Sequence, residues 1–207
     1  MPQINPQTNL ETLREQAQAL SSEAWAQRRI DPPHALQLAE DALRLSALCE
    51  DSASAARSLL TMGRVRLHQA KFDEAIAAIE RALPYFQKTA DLAGEISARS
   101  AIGEAHYRLN RYAESLDVYQ QALSLSEQLP DADERQQRRA TLLNNLGGVF
   151  RDSGRTAEAI AAHTESLRLK RLSNNEKQSR VYPLINLATL YQETGLHAEA
   201  LGLFEEG

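Results

Sequence analysis

The sequence predicts an all-α protein, an α-α superhelix (solenoid) of about five antiparallel helix pairs. Two observations support this prediction, the composition and an internal repeat. Hydrophobic residues make up 43% of the 207 residues, whereas aromatic residues make up only 5%. The abundant residues are Ala, Leu, Glu, Gln and Arg, which lose little side-chain freedom in a helix. Segments in which Val, Ile or Thr alternate with polar residues are missing, so a sheet has little to be built from.

A pattern of small and large residues recurs four times along the chain. Each copy has a small anchor residue, a loop residue at about +7, a small residue at +12 and a larger one at +16. The anchors are Gly63, Gly103, Gly147 and Ala188, which lie 40, 44 and 41 residues apart. A weaker fifth copy precedes them, around Trp25. Such a period predicts helix pairs that stack into an array.

The helices follow from this register and from the turn residues between its copies. They are predicted, in chain order, at 8–29, 33–49, 53–69, 72–89, 92–109, 112–128, 133–153, 156–172, 177–194 and 197–206. Pro33 and Pro130 lie at predicted boundaries, where proline is favoured. Pro84 falls inside the predicted helix 72–89 and could kink it. Pro183 could mark the true first turn of the helix predicted at 177–194.

The anchor glycines are expected at close contacts between paired helices. Gly63, Gly103 and Gly147 lie in the middle of predicted helices, where glycine costs about 1 kcal/mol relative to alanine. Close approach of the second helix, at the small residue twelve positions further on, would offset that cost. The residues at that position are Ala75, Ser115 and Ala159. Asn110 and Gly154 follow predicted helices and suit the left-handed conformation that ends a helix.

The segment Asn144 to Leu167, NNLGGVFRDSGRTAEAIAAHTESL, resembles the tetratricopeptide repeat family. The resemblance runs from about residue 56 to the end and implies a helix–turn–helix unit of about 34 residues. The repeats here are 6 to 10 residues longer, which is similar to the longer-helix repeats of kinesin light chains and Leu-Gly-Asn-type spindle adaptors. The extra residues, such as 131–139 and 172–180, are expected to add about two helical turns or to form polar loops.

The chain is therefore expected to be a single tetratricopeptide-like array of successive units. The units are predicted at about 8–50, 51–90, 91–130, 131–173 and 174–207. The last unit is incomplete, and we expect the array to continue in a longer protein, because the end of a solenoid usually needs a polar capping element.

No catalytic or metal-binding constellation is predicted, so the chain is expected to be no enzyme and to need no cofactor. The five histidines are dispersed, one in each predicted repeat, and none pairs with a second ligand at i, i+4 spacing. His163 occupies a packing position between helices and is expected to be structural. The single cysteine, Cys49, excludes an internal disulfide and is expected to be a packed residue.

Charge and hydropathy argue against several classes of partner. The net charge is −5, with acidic and basic residues interspersed, so there is no cationic face for nucleic acid. The polar N-terminus lacks the features of a signal peptide. No stretch approaches the ~20 apolar residues that a membrane span requires. A cytoplasmic location and no membrane association are expected.

The first helix of each pair is expected to line the concave side of the array. The family resemblance implies that groove residues lie at fixed offsets from the anchor. These offsets give the candidate peptide-binding residues Arg57, Arg64, His68, Glu104, Tyr107, Arg108, Asn144, Asn145, Arg151, Asn186 and Gln192.

Asparagines in this set favour a peptide ligand. Asn145 and Asn186 occupy the same offset in successive repeats, and Asn144 lies one position earlier. An amide offers a donor and an acceptor together, which suits the unpaired groups of an extended backbone. The resemblance implies that asparagines at this offset hold a ligand main chain. The alternative is that an exposed helix face merely tolerates them.

Four arginines share the same predicted face, namely Arg57, Arg64, Arg108 and Arg151. Guanidinium groups bind carboxylates bidentately, which favours a ligand with acidic or C-terminal carboxylate groups. The acidic residues Glu104, Asp152 and Glu193 share the face and could neutralise them within the protein.

The sequence thus predicts a scaffold or adaptor that binds an extended peptide or a partner helix in its concave groove. One alternative is an N-terminal sensory or regulatory repeat domain of a larger bacterial signalling protein, such as a cyclase, kinase or transcription regulator. Another is a structural homodimer that associates through its open end.

Overall fold

The computed structural model of the protein describes residues 6–172 and 180–206. These residues form eleven α-helices and no strand. The predicted all-α class, built from antiparallel helix pairs, is confirmed. None of these helices is long and apolar enough to cross a membrane. The chain divides into two compact units, Met1–Leu109 and Asn110–Gly207.

The first unit has six helices in its described part. They are α1 (Pro6–Gln27), α2 (Pro32–Leu48), α3 (Ser52–His68), α4 (Phe72–Glu80), α5 (Leu83–Lys88) and α6 (Leu92–Arg108). Helix α1 packs on α2 and α3, and α3 packs on α4, α5 and α6. Small side chains form part of the core. Ala24 and Ala39 are fully buried, Leu38 beside them is 8% exposed, and Leu20 and Met62 pack against this cluster. Small residues at these positions let the helix axes approach closely.

Aspartates begin three helices of this unit. Asp31, Asp51 and Asp91 each accept a hydrogen bond from a backbone N–H in the first turn of α2, α3 and α6 respectively. Such a cap satisfies one of the unpaired donors of a helix start and contributes about 1 kcal/mol. The helix starts are therefore fixed locally by sequence.

Left-handed residues end several of the helices. Asn110 and Gly154 have φ angles of 56° and 79°, as the sequence predicts. Ala70 adopts the same conformation, with φ 59°, although a side chain disfavours it. The N–H of Lys71 donates to the carbonyl of Arg66 at 2.9 Å, which closes the turn after α3.

One predicted helix is two helices. The sequence predicts a single helix over 72–89, kinked at Pro84, but α4 ends at Glu80 and α5 begins at Leu83. Pro84 has no N–H to donate, and its ring would clash with the carbonyl of residue 80 if the helix continued. The single-helix prediction is therefore wrong, because proline breaks this helix instead of bending it.

The second unit has five helices in its described part. They are α7 (Tyr112–Ser126), α8 (Ala132–Asp152), α9 (Thr156–Leu172), α10 (Val181–Glu193) and α11 (His197–Glu206). Helix α8 packs on α7, α9 and α10, and α10 packs on α9 and α11. The core includes Leu167, Leu184 and Leu187, which pack with Ile160 and Leu203.

The extra residues 131–139 lengthen a helix. Asp131 caps α8 by accepting a hydrogen bond from the N–H of Glu134 at 2.6 Å, and the following residues form the first turns of this helix. Of the two predicted alternatives, the helical one is confirmed for this segment. Residues 173–179, and with them the predicted helix start at 177, lie outside the described residues. Helix α10 begins at Val181 with Pro183 in its first turn, and the other helix ends agree with prediction within two residues.

Two anchor glycines lie at close interhelical contacts, as predicted. A methyl group on Gly63 would lie 2.2 Å from Ile79 Cγ1 and 3.1 Å from the carbonyl oxygen of Ala75. A methyl group on Gly147 would lie 2.6 Å from the ring of His163. The nearest side chain therefore comes from the residue sixteen positions after the glycine, not from the small residue at twelve. The corresponding contact of Gly103 stays a prediction.

Candidate functional site

Six of the predicted groove residues lie in the first unit. Helix α3 carries Arg57, Arg64 and His68, and α6 carries Glu104, Tyr107 and Arg108. Arg64 connects the two helices, because its Nη1 lies 3.4 Å from Glu104 Oε2 and its Nη2 donates to the carbonyl of Ser97 at 3.3 Å. The structure thus brings the predicted residues of α3 and α6 together at an ion pair.

Two further predicted arginines of this unit contact neutral groups. Arg57 is exposed, and its Nη1 donates to Ser22 Oγ on α1 at 2.9 Å. The guanidinium of Arg108 lies 5.4 Å from the centre of the Phe72 ring at the start of α4, a cation–π contact. Within the described part of the chain, neither arginine has an ion pair with a carboxylate.

Sequence reasoning missed two basic residues beside this face. Arg28 and Arg29 follow directly after the last residue of α1. The guanidinium of Arg28 lies 3.8 Å from the centre of the Trp25 ring and donates to the Trp25 carbonyl. Partial burial lowers the pKa of Arg28, and the charges of Arg29 and Arg64 lower it further. These residues were missed because the first repeat is degenerate and the groove offsets were not carried over to it.

His68 is influenced by the same charges. Partial burial lowers the pKa of His68, the charge of Arg29 lowers it further, and Glu104 opposes both. Arg64 and Arg28 act in the same direction as Arg29. Burial and the neighbouring guanidinium groups thus both disfavour the charged form of this imidazole.

The other predicted groove residues lie in the second unit, on α8 and α10. They are Asn144, Asn145, Arg151, Asn186 and Gln192. Asn186 Nδ2 donates to Asn144 Oδ1 at 3.2 Å, across the contact between α10 and α8. The same Oδ1 lies 3.1 Å from Nδ1 of His163 on α9. Since this oxygen is an acceptor, the proton of the neutral imidazole sits on Nδ1, and Asn144 joins three helices.

His163 is a structural residue, as the sequence predicts. Its side chain is fully buried and its ring lies against Gly147. Burial lowers the pKa of His163 to about 4, and the charge of Arg151 acts in the same direction. Among the described residues Nε2 has no hydrogen-bond partner, so the imidazole is only half satisfied. Its hydrogen bond to Asn144 has no signal in the sequence.

The other candidates of this unit differ in their surroundings. Asn145 is half-buried, and its side chain forms no hydrogen bond within the described residues. Gln192 is exposed near the end of α10. Arg151 Nε lies 2.8 Å from Asp152 Oδ1, so its charge is partly neutralised locally. Asn145, Asn186 and Gln192 thus all keep amide groups without a hydrogen-bond partner within the described residues, apart from the one N–H that Asn186 donates to Asn144.

Helix pairs that nest at small residues and carry polar side chains on their first helices define a helical repeat protein. The sequence resemblance to one family of this class is confirmed, because the tetratricopeptide repeat family model matches residues 54–128 and 138–207. The chain belongs to the tetratricopeptide repeat family.

A curated relative is similar to part of the chain. The "Regulatory protein AfsR" of Streptomyces coelicolor is 33% identical over 96 residues, which is 46% of this chain and 10% of that protein. The chain thus spans about a tenth of the length of this relative, and the likeness concerns one segment of it.

Two solved structures have the same fold at low sequence identity. The kinesin light chain nearly identical TPR-like repeats of Podosopora anserina align with a TM-score of 0.63 and 17% identity, over 99% of this chain and 95% of theirs. The structure of NprR in complex with its cognate peptide NprX aligns with a TM-score of 0.64 and 17% identity, over 84% of this chain and 49% of NprR. These likenesses show the fold and agree with the resemblance to kinesin light chain repeats.

Proposed function

We propose that the chain is a binding module for an extended peptide segment of a protein partner and catalyses no reaction itself. The observation that carries this proposal is the hydrogen bond between Asn186 and Asn144 at 3.2 Å. It places the amide-bearing faces of α8 and α10 side by side, with Asn145 next to them in sequence. Amides from two successive repeats can then meet one ligand backbone.

The hydrogen-bonding capacity of this face suits a peptide main chain. Asn186 donates one N–H to Asn144 and keeps a carbonyl oxygen and a second N–H, while Asn145 keeps its whole amide. An extended peptide has N–H and C=O groups that no intramolecular partner satisfies, and paired amides bind both. Because the hydrogen bonds at Asn144 fix its orientation before a ligand arrives, less conformational entropy is lost on binding.

Similar proteins support a peptide as the ligand. The NprR structure, which has the same fold, is a complex with a cognate peptide. The alignment with that structure covers 84% of the present chain. The residues that would bind a peptide here are argued from this chain alone.

Positive charge supports a ligand with acidic side chains or a free C-terminal carboxylate. Arg57 and Arg108 have no ion pair with a carboxylate in the described residues, so their charges are available to a ligand. Arg64 and Arg151 support this chemistry less, since each already has a carboxylate partner.

A regulatory role within a larger protein is the second candidate. The likeness to a protein named as regulatory, of which this chain matches a tenth, favours it. A reading frame that places an enzymatic or DNA-binding domain after these repeats would support this role.

A structural homodimer is the third candidate function. It would form through the exposed side chains of Leu201 and Phe204 on α11, which are 59% and 49% accessible.

Selection of ligands from a random peptide library tests the proposed function. Peptides enriched on the wild-type protein are expected to lose about tenfold or more in affinity for the Asn145→Ala/Asn186→Ala variant, because each lost hydrogen bond costs about 1 kcal/mol. The melting temperature should fall only modestly, because both side chains are half-buried and the variant loses one interhelical hydrogen bond, that from Asn186 to Asn144.

The matched control is Gln121→Ala, which removes an amide from α7 in the same unit. This variant should bind the selected peptides like wild type. Equal affinity of wild type and the asparagine double variant for the selected peptides would contradict the proposal.

A further inference from the structure

A cavity of about 320 Å³ opens in the first unit, where the end of α2, the start of α3 and the short helix α5 come together. Helix α5 is separate from α4 because of the break at Pro84, and it lines the cavity with Tyr85 and Lys88. These two residues are three positions apart and therefore share one face of the helix. Since ligand cavities have volumes of about 300 Å³ and more, this one is large enough for a small molecule.

Part of the cavity wall is apolar. Leu43 and Ala47 of α2 lie one helical turn apart, and Ala55 of α3 and the ring of Tyr85 extend this part. Ala55 is only 4% exposed, whereas Tyr85 is 37% exposed, so the apolar wall runs from the core to the solvent. An aliphatic or aromatic group placed against this wall would remove apolar surface from water, which is favourable.

Two opposite charges line the same cavity. Glu50 follows α2, and Lys88 lies on α5. Within the described residues, neither side chain forms a hydrogen bond or an ion pair, with the other or with a neighbour. The carboxylate of Asp51 also lines the cavity, but it accepts hydrogen bonds from Ser54 Oγ at 2.7 Å and from the N–H of Ala53 at 3.1 Å. Glu50 and Lys88 therefore supply the charges that a ligand would meet.

This combination of charges selects one class of ligand. An anion such as phosphate would be attracted by Lys88 but repelled by Glu50 and Asp51, and a simple cation would be repelled by Lys88. A molecule that carries both an ammonium and a carboxylate group satisfies both sides of the cavity. The apolar wall adds the requirement for an apolar group between or beside the two charges.

We propose that this cavity binds a small zwitterion, namely an α-amino acid with an apolar side chain. Glu50 accepts hydrogen bonds from the ammonium group of the ligand, and Lys88 donates to its carboxylate. The apolar side chain of the ligand packs against Leu43, Ala55 and the ring of Tyr85. The site is built from the first unit alone and does not rest on the peptide-binding function proposed for α8 and α10.

Isothermal titration calorimetry with L-leucine, L-methionine and L-phenylalanine tests this site. At least one of these amino acids binds wild type at one site, with a Kd below about 1 mM. The N-acetyl derivative of that amino acid lacks the ammonium group, and its amide derivative lacks the carboxylate. Each derivative binds about tenfold or more weakly, because a charge-assisted hydrogen bond is lost.

Single substitutions assign each charge to its partner. Glu50→Gln and Lys88→Gln each weaken binding of the free amino acid by about tenfold or more, and both fold normally because the two side chains are exposed. Glu50→Gln has little effect on the N-acetyl derivative, and Lys88→Gln has little effect on the amide derivative. The matched controls Glu23→Gln and Arg81→Gln, which change exposed residues outside the cavity in the same unit, bind like wild type.

A steric variant tests the cavity without changing a charge. Ala47 is exposed, so Ala47→Trp leaves the core intact, and its indole ring occupies space that the ligand needs. This variant keeps the melting temperature of wild type but no longer binds the amino acid.

Three results would overturn this inference. The first is the absence of saturable binding of all three amino acids to wild type. The second is equal affinity of wild type and the Glu50→Gln/Lys88→Gln variant. The third is binding of the N-acetyl and amide derivatives as tight as that of the free amino acid. Because this assay contains no peptide, its failure would leave the proposed role of Asn145 and Asn186 standing, and failure of the peptide selection would leave this site standing.

Discussion

His163 and Asn144 show how a buried polar residue can shape a surface. The imidazole is fully buried, and its Nδ1 lies 3.1 Å from Asn144 Oδ1, within hydrogen-bonding distance. Asn186 donates to the same oxygen. Asn144 Oδ1 therefore has two partners, one on α9 and one on α10, which restrict how this amide is oriented. The contact with the buried histidine thus restricts the orientation of the Asn144 side chain at the helix surface.

The neutral state of His163 predicts how stability depends on pH. The folded pKa is about 4 and the ordinary value is 6.5, so the unfolded chain binds a proton that the folded protein does not. The free energy of unfolding should be constant near neutral pH, fall below about pH 6.5, and lose about 3 kcal/mol by about pH 4. Urea denaturation at several pH values measures this loss.

The variant His163→Gln isolates the contribution of the imidazole. It keeps a buried amide donor and removes the titrating group, so its stability should fall less between about pH 6.5 and pH 5 than that of wild type. Acidic side chains titrate in both proteins and cancel in the comparison. Parallel pH profiles would show that His163 is not held neutral by burial.

Within each of the two units, a pair of helices approaches closely where a glycine of one helix faces a large buried side chain of the other. Ile79 covers Gly63 and His163 covers Gly147, and both covering side chains are fully buried. Glycine disfavours the helical conformation, but here it leaves the space that a side chain from the second helix fills. The interhelical contact therefore compensates for the low helix propensity.

Alanine substitutions at the glycines test this packing. Gly63→Ala and Gly147→Ala should each lower the free energy of unfolding by about 1–3 kcal/mol, because the added methyl group overlaps a buried side chain. Gly202→Ala on α11 is the control, since nothing lies within 4 Å of the added group. That substitution should be neutral or stabilise by up to about 1 kcal/mol. A gain in stability at Gly63 like that at Gly202 would contradict the packing.

Local signals explain which elements could be predicted from sequence. Helix ends follow from capping aspartates and from left-handed residues such as Gly154, and these act over a few positions. The break at Pro84 was predicted only as a kink, because the register alone does not say whether a helix resumes after proline. The sequence left open whether residues 131–139 form a helix or a loop, because polar helix-forming residues suit both. Only the structure shows that Asp131 caps a helix here.

The candidate site could be predicted only in part. The offsets placed Asn144 and Asn186 on helices that do pack together, because the repeat fixes which helix faces adjoin. The link to His163 depends on side-chain rotamers across 19 residues and leaves no pattern in sequence. The arginines at the end of α1 were missed because the first repeat departs from the consensus that supplied the offsets.

At the scale of the whole molecule, each compact unit carries its own set of candidate binding residues. The first unit offers guanidinium groups at α1 and α3, and the second offers amides at α8 and α10. Tetratricopeptide folds host many roles, so the fold by itself does not identify a partner. The function has to be argued from these side chains, and they favour a peptide with an extended backbone and acidic groups.

Side-chain amide NMR tests the central claim most directly. Titration of ¹⁵N-labelled protein with a library-selected peptide should shift the side-chain amide signals of Asn145 and Asn186 strongly, while the signal of Gln121 on α7 stays in place. Those shifts would show that the ligand contacts the predicted face of α8 and α10. Saturating peptide that leaves both asparagine signals unchanged would contradict the account.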